Sequence, residues 1–168
     1  KMKGEYEGFQ DCLAASKVGG NGPLACKFGC LGFGNCIKAC QYDAIHIVDG
    51  VAKVDPEMCK GCMACAAECP RNLIVPVDYE KHTIIACASQ AKGAVTVRGC
   101  TQGCIGCGIC VKICPHDAIK IENNLAVIDY SICTECGLCA AVCPKKLIAS
   151  PIDTPEEVLA IVKAHMKK

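Results

Sequence analysis

The chain has 168 residues with no tryptophan, three phenylalanines and four tyrosines, so the large aromatic side chains that fill most cores are nearly missing. Charge is scarce too. Charged residues reach 21% and the formal net charge is +1, which excludes the basic field of a nucleic-acid binder and the charge density of a disordered chain. No apolar run approaches the roughly 20 residues of a membrane helix, and no secretory signal opens the sequence. It reads as a soluble chain of one domain or two small ones. It begins at Lys1 rather than methionine, so we expect a fragment or a processed form. What is abundant is cysteine, with nineteen residues.

Three states of those thiols compete: disulfides, zinc sites and iron–sulfur ligands. An odd count, clustered in tight loops, does not suit disulfides that staple distant segments. Cys59, Cys62, Cys65 and Cys69-Pro70 read C-x2-C-x2-C-x3-C-P. So do Cys104, Cys107, Cys110 and Cys114-Pro115, and then Cys133, Cys136, Cys139 and Cys143-Pro144. Zinc sites draw paired C-x2-C loops from two places and have no use for the third cysteine. A 4Fe-4S cube does. Three thiolates of one loop cap three irons, and the fourth cysteine, followed by proline, serves the other cluster of a pair.

A fourth, irregular run is resolved by an internal repeat. A shift of 74 residues aligns Cys26 to Val75 with Cys100 to Ala149 without a gap, and 23 of the 50 positions are identical. The protein is a tandem duplication. Phe33 stands where the second repeat has Cys107, and Gln41 replaces the proline after Cys40. Cys26 can supply the missing thiolate from four residues before Cys30; its counterpart Cys100 is then surplus.

Between the two runs of each repeat lies a hairpin pattern. Ala44 to Val48 and Val51 to Val54 flank Asp49-Gly50, a primed-turn signal, while Ala118 to Glu122 and Leu125 to Ile128 flank Asn123-Asn124, which tolerates the same positive φ. Run, hairpin, run is the order of a two-cluster bacterial ferredoxin. The expected fold class is α+β, with tandem two-cluster ferredoxin-like domains, short hairpins and flanking helices. We expect an N-terminal helix and glycine-rich linker over 1–25, repeat 1 over 26–76, a connecting segment over 77–99, repeat 2 over 100–150 and a C-terminal helix over 151–168.

Crossed ligation then assigns four 4Fe-4S clusters as cofactors. Cluster one takes Cys26, Cys30, Cys36 and Cys69; cluster two takes Cys59, Cys62, Cys65 and Cys40. Cluster three takes Cys104, Cys107, Cys110 and Cys143; cluster four takes Cys133, Cys136, Cys139 and Cys114. Cys12, Cys87 and Cys100 remain, as small buried residues, or with Cys12 ligating cluster one in place of Cys26, or with Cys87 meeting Cys100. So little other apolar material is present that folding and metal binding should be coupled.

Other features carry less. Gly32-Phe33-Gly34 follows no strand, so it reads as a tight turn around a cluster rather than a dinucleotide loop. His46 and His116 lack partners at ligand spacing and read as structural or surface residues. Lys38 and Lys112 occupy equivalent, solvated positions. Phe9, Cys12, Leu13 and Ser16 share a helical face near the start. Thr154-Pro155-Glu156-Glu157 opens a capped helix with an apolar stripe at the end.

The stretch Asp11 to Ala15, "ACKFGCLGFGNCIKAC" and "ACASQAKGAVTVRGCTQGCIGCGICVKICP" together resemble the B subunit of the Rnf complex, the ion-translocating ferredoxin:NAD oxidoreductase, over nearly the whole chain. The resemblance implies a peripheral subunit on the cytoplasmic side of the cell membrane. It would accept electrons from reduced ferredoxin and pass them to other subunits of a membrane redox complex. In that family a membrane anchor and a further small cysteine-rich domain precede this region. We therefore expect a one-electron relay without a catalytic site of its own, no nucleic acid and no small-molecule substrate. The other readings are a free-standing polyferredoxin carrier and the equivalent subunit of a complex that reduces a redox-sensing regulator.

Overall fold

Two short runs of alternating residues, joined by two residues that accept positive φ, dictate the most regular part of each repeat. In the computed structural model, which describes residues 5–20, 22–150, 152 and 160, strand β1 (Ile45–Val48) pairs antiparallel with β2 (Val51–Val54). The turn between them has Asp49 at φ 51° and Gly50 at φ 75°, a primed turn whose twist matches that of the strands. The second hairpin repeats this with Asn123 at φ 48° and Asn124 at φ 65°.

The chain divides into two units, residues 1–79 and 80–168. Unit 1 begins with helix α1 (Cys12–Lys17). Phe9 does not share its buried face: Asp11 is extended, at φ -144°, and caps the helix with Oδ1 accepting the Ala14 N–H at 2.8 Å. Residues before such a cap cannot be helical. Phe9 is accordingly exposed, and the helix buries Cys12 and Ala15 instead of Leu13. Helix α2 (Asn35–Ala39), the β1–β2 hairpin and helix α3 (Ala64–Ala67) follow, with α2 packed on α3.

Unit 2 holds β3 (Ile84–Ile85), α4 (Gly93–Gly99), α5 (Ile109–Ile113), β4 (Ile119–Glu122), β5 (Leu125–Ile128), α6 (Leu138–Val142) and β6 (Ile148–Ala149). Helix α5 packs on α6, and β4 pairs with β5. A further antiparallel pair, β3 with β6, is built from residues before and at the end of the repeat. Ile119, Ala126, Ile128, Leu147 and Ile148 form its core with three cysteines, and Ile85 and Cys87 pack against them.

Four of the helices are entered through a left-handed residue: Gly34 before α2, Met63 before α3, Gly108 before α5 and Gly137 before α6. That sharp turn sets the third cysteine of each run on the helix, at Cys36, Cys65, Cys110 and Cys139. Among the described residues no helix is long and apolar enough to cross a membrane. The expected capped C-terminal helix lies outside the described residues.

Candidate metal centres

Each unit gathers thiols where the two packed helices meet the loops that precede them. In unit 1, burial pushes the Cys36 thiol above its ordinary pKa, and Cys30 and Cys12 lie close enough to add to the rise. Cys26, Cys30, Cys69 and Cys12 all act on the charge of Arg71, so five sulfurs crowd this corner. Cys12 is brought there by Asn35, whose Oδ1 accepts the Cys12 N–H at 2.8 Å while its amide donates to Asp11 at 2.7 Å. The second thiol group of unit 1 places Cys65 with Cys59 and Cys40, and burial again raises the Cys65 pKa. Cys62 is exposed on the same loop.

Unit 2 buries its thiols more deeply. Cys110 is pushed up to about 11 by burial, with Cys107, Cys104 and Cys143 adding to the effect. Cys139 is likewise pushed up to about 11 by burial, with Cys136 and Cys133 adding to the rise. Cys114, Cys133, Cys136 and Cys139 line one cavity together with Thr83 and Ile119. Thiols crowded and desolvated in this way disfavour the bare anion, so a cationic metal group is what allows them to ionise together.

Among the described residues no three His, Cys, Asp or Glu side chains converge on the spacing of a single metal ion. A cubane asks for a wider set, since each thiolate binds a different iron. Backbone donors already face several sulfurs. The Gly61, Leu73 and Ala118 N–H groups point at Cys59, Cys69 and Cys114 Sγ at 3.4, 3.5 and 3.3 Å. Cys87 Sγ accepts from Ser89 and Cys104 N–H at 3.4 and 3.3 Å, which sets it beside the first run of its unit. Cys100 sits at the end of α4. His46, His82 and His116 are exposed.

Sequence reasoning overlooked five residues. Arg71 follows Cys69-Pro70, is half-buried, and donates from one guanidinium nitrogen to the carbonyls of Cys26, at 3.1 Å, and Gly29. At the equivalent place Lys145 donates to the Thr101 carbonyl at 3.0 Å. Thr83, Tyr130 and Glu135 form a second overlooked group. Glu135 accepts the N–H of His82 at 2.7 Å and that of Thr83 at 3.2 Å, and Tyr130 donates to the Thr83 carbonyl at 3.1 Å. The signal was present as differences between the repeats: Gly61 and Pro56 stand where unit 2 has Glu135 and Tyr130.

Two family models, both described as a 4Fe-4S dicluster domain, match residues 58–119 and 103–147. The irregular first run, with Phe33 in place of a cysteine, falls outside both. Among curated proteins, the chain is 40% identical over 132 residues to the B subunit of the Na(+)-translocating ferredoxin:NAD(+) oxidoreductase complex of Acetobacterium woodii, covering 78% of this chain and 39% of that protein. It is 43% identical over 130 residues to the B subunit of the proton-translocating ferredoxin:NAD(+) oxidoreductase complex of Clostridium ljungdahlii, covering 77% and 45%. The chain is a homologue of these B subunits. A third, the B subunit of the ion-translocating oxidoreductase complex of Methanosarcina acetivorans, is 37% identical over 131 residues, covering 77% and 49%. The chain thus spans two fifths to one half of the length of the B subunits it matches. The dicluster matches mark this chain as carrying 4Fe-4S ferredoxin-like domains, and the thiol groups, apolar walls and sulfur-facing amides described above suit such clusters.

Proposed function

We propose that this chain relays single electrons through four 4Fe-4S clusters, from a reduced ferredoxin toward other subunits of a membrane-bound, ion-translocating complex. The observation that carries this reading is the pair of dicluster matches in a duplicated, cysteine-dense chain homologous to B subunits. The names of two of those relatives supply the donor and the acceptor side. Bound clusters supply the one-electron chemistry, within roughly -700 to +450 mV for iron–sulfur centres. The chain's residues do the rest. Cys26, Cys30, Cys36 and Cys69 hold the first cluster, and Cys40, Cys59, Cys62 and Cys65 the second. Cys104, Cys107, Cys110 and Cys143 hold the third, and Cys114, Cys133, Cys136 and Cys139 the fourth.

Backbone amides aimed at sulfur favour the state with one more negative charge, as does the Arg71 guanidinium beside the first thiol group. Ile119 and Leu138 in the wall of the fourth group limit water, which sharpens those electrostatic effects. The chain docks on the cytoplasmic side of the membrane as a peripheral subunit.

Anaerobic reconstitution tests the cofactor count: we expect about sixteen iron and sixteen sulfide per chain, and a yield near eight would leave one unit without clusters. Stopped-flow mixing with reduced ferredoxin tests the donor and should bleach the visible absorbance. Bleaching by dithionite but not by ferredoxin would remove ferredoxin from the scheme. Failure to co-purify with membrane subunits would favour a free carrier.

A further inference from the structure

Thr83 is only 1% exposed, and its Oγ1 is a buried side-chain oxygen with no hydrogen-bond partner among the described residues. It forms part of the wall of the cavity lined by Cys114, Cys133, Cys136 and Cys139. Burying a hydroxyl without a partner is destabilising, and native structures rarely leave one so. Everything else about this residue is fixed. Its N–H lies within 3.2 and 3.3 Å of the two Glu135 carboxylate oxygens, and its carbonyl accepts from Tyr130. Strand β3 starts at the next residue and pins the backbone to β6. The hydroxyl is the one polar group of Thr83 without a partner among the described residues, and the cavity it borders is lined by four cysteines along with His116, Thr134 and Glu135, the last already held by the His82 and Thr83 N–H groups.

We infer that Thr83 Oγ1–H donates a hydrogen bond to sulfur of the cluster held by Cys114, Cys133, Cys136 and Cys139, and raises its reduction potential above that of the corresponding cluster in unit 1. The inference rests on the ligand reading given under Proposed function. Reduction adds one negative charge to the cluster, and a donor to its sulfur stabilises the more negative state. Unit 1 lacks the means to copy this. Thr83 lies before the duplicated stretch, which starts at Cys26 in unit 1 and Cys100 in unit 2, and unit 1 has no strand placed like β3 among its described residues. Gly61 and Pro56, at the places of Glu135 and Tyr130, have no side-chain groups that could tie a strap over Cys59 and Cys62. Thr83 is a positioning residue in this account. It moves no electron itself, and it sets where in the relay the electron rests.

Valine keeps the shape of threonine and removes only the donor, while serine keeps the donor. The test loads wild type, Thr83→Val and Thr83→Ser anaerobically, counts iron, and follows a potentiometric titration by electron paramagnetic resonance. In Thr83→Val one of the four couples should become harder to reduce by about tenfold, or roughly 59 mV for a one-electron step. One exchangeable-proton coupling of that cluster should be lost while that of the Ala118 amide stays, and Thr83→Ser should match wild type in both. In a Cys136→Ser background, which removes a ligand of that cluster, the valine shift should be absent. Wild-type potentials in Thr83→Val overturn the inference. So does a Thr83→Ser protein that behaves like valine, whether by potential or by lost iron, because packing rather than the hydroxyl would then be the cause. A wild-type chain that loads fewer than four clusters overturns the ligand reading itself, and iron counting separates that failure from the others.

Discussion

Val54 and Ile128 occupy the same place in the two hairpins, yet the first is 42% exposed and the second 8%. The strands around them pair in the same register, through turns of the same handedness. Leu73 and Ile74 are half-buried where their counterparts Leu147 and Ile148 are buried. What separates the units lies outside the duplicated stretch. Residues 80–87 run beside β5 and bring Ile85 and Cys87 against the core, and unit 1 has no similarly placed strand among its described residues. A duplicated sequence fixes the local geometry of its copies, while the depth of burial depends on what each copy packs against.

The irregular cysteine loops give the sharpest way to break this comparison. Cys26→Ser should remove one whole cluster, about four of sixteen irons, while Cys100→Ser should remove none. Iron analysis after anaerobic loading checks both, and equal losses would mean that the two repeats use their first loops alike. Retention of iron in Cys26→Ser, followed by its loss in the Cys12→Ser double variant, would move the ligand to Cys12. The next effect is on stability. Ile128→Ala should cost about 2–5 kcal/mol as a truncation in a packed core, against about 0.5 kcal/mol for Val54→Ala on an open face. Denaturant unfolding of the loaded protein measures the pair, and similar costs would mean that unit 1 is covered in solution. The smallest expected effect concerns the two cations after Cys-Pro. Arg71→Gln should make one couple several-fold harder to reduce, because a half-buried guanidinium among four thiols favours the added electron. Lys145→Gln should change its couple less, since its ammonium meets the Thr101 carbonyl at an exposed site, whereas the Arg71 bonds are partly buried among thiols; a titration showing the reverse order would put the stronger field in unit 2.

The parts of the fold that were legible in the sequence are those set by near neighbours. Asp49-Gly50 and Asn123-Asn124 announced their turns because positive φ is a property of the residue itself. The cysteine spacing announced 4Fe-4S chemistry because a loop around a cube permits few lengths. The β3–β6 pair was not legible. Two residues on each side carry no periodicity, and their partners lie more than 60 positions away. The start of helix α1 was legible only in part, since Phe9 fits the helical spacing while Asp11, as cap, overrides it. Thr83 was invisible for a further reason: a threonine in a connecting segment looks ordinary until its surroundings show that its hydroxyl is shut away from water.

The β3–β6 pairing also bears on how the protein is made. It closes a loop from Ile84–Ile85 to Ile148–Ala149, and contacts between such distant positions form late, because the chain between them must first be ordered. During synthesis residues 1–79 leave the ribosome before the strand that completes the β3–β6 pair of unit 2 at Ile148–Ala149. Translation therefore imposes an order of delivery: every thiol of the more open unit has emerged before the last strand of the better-covered one arrives.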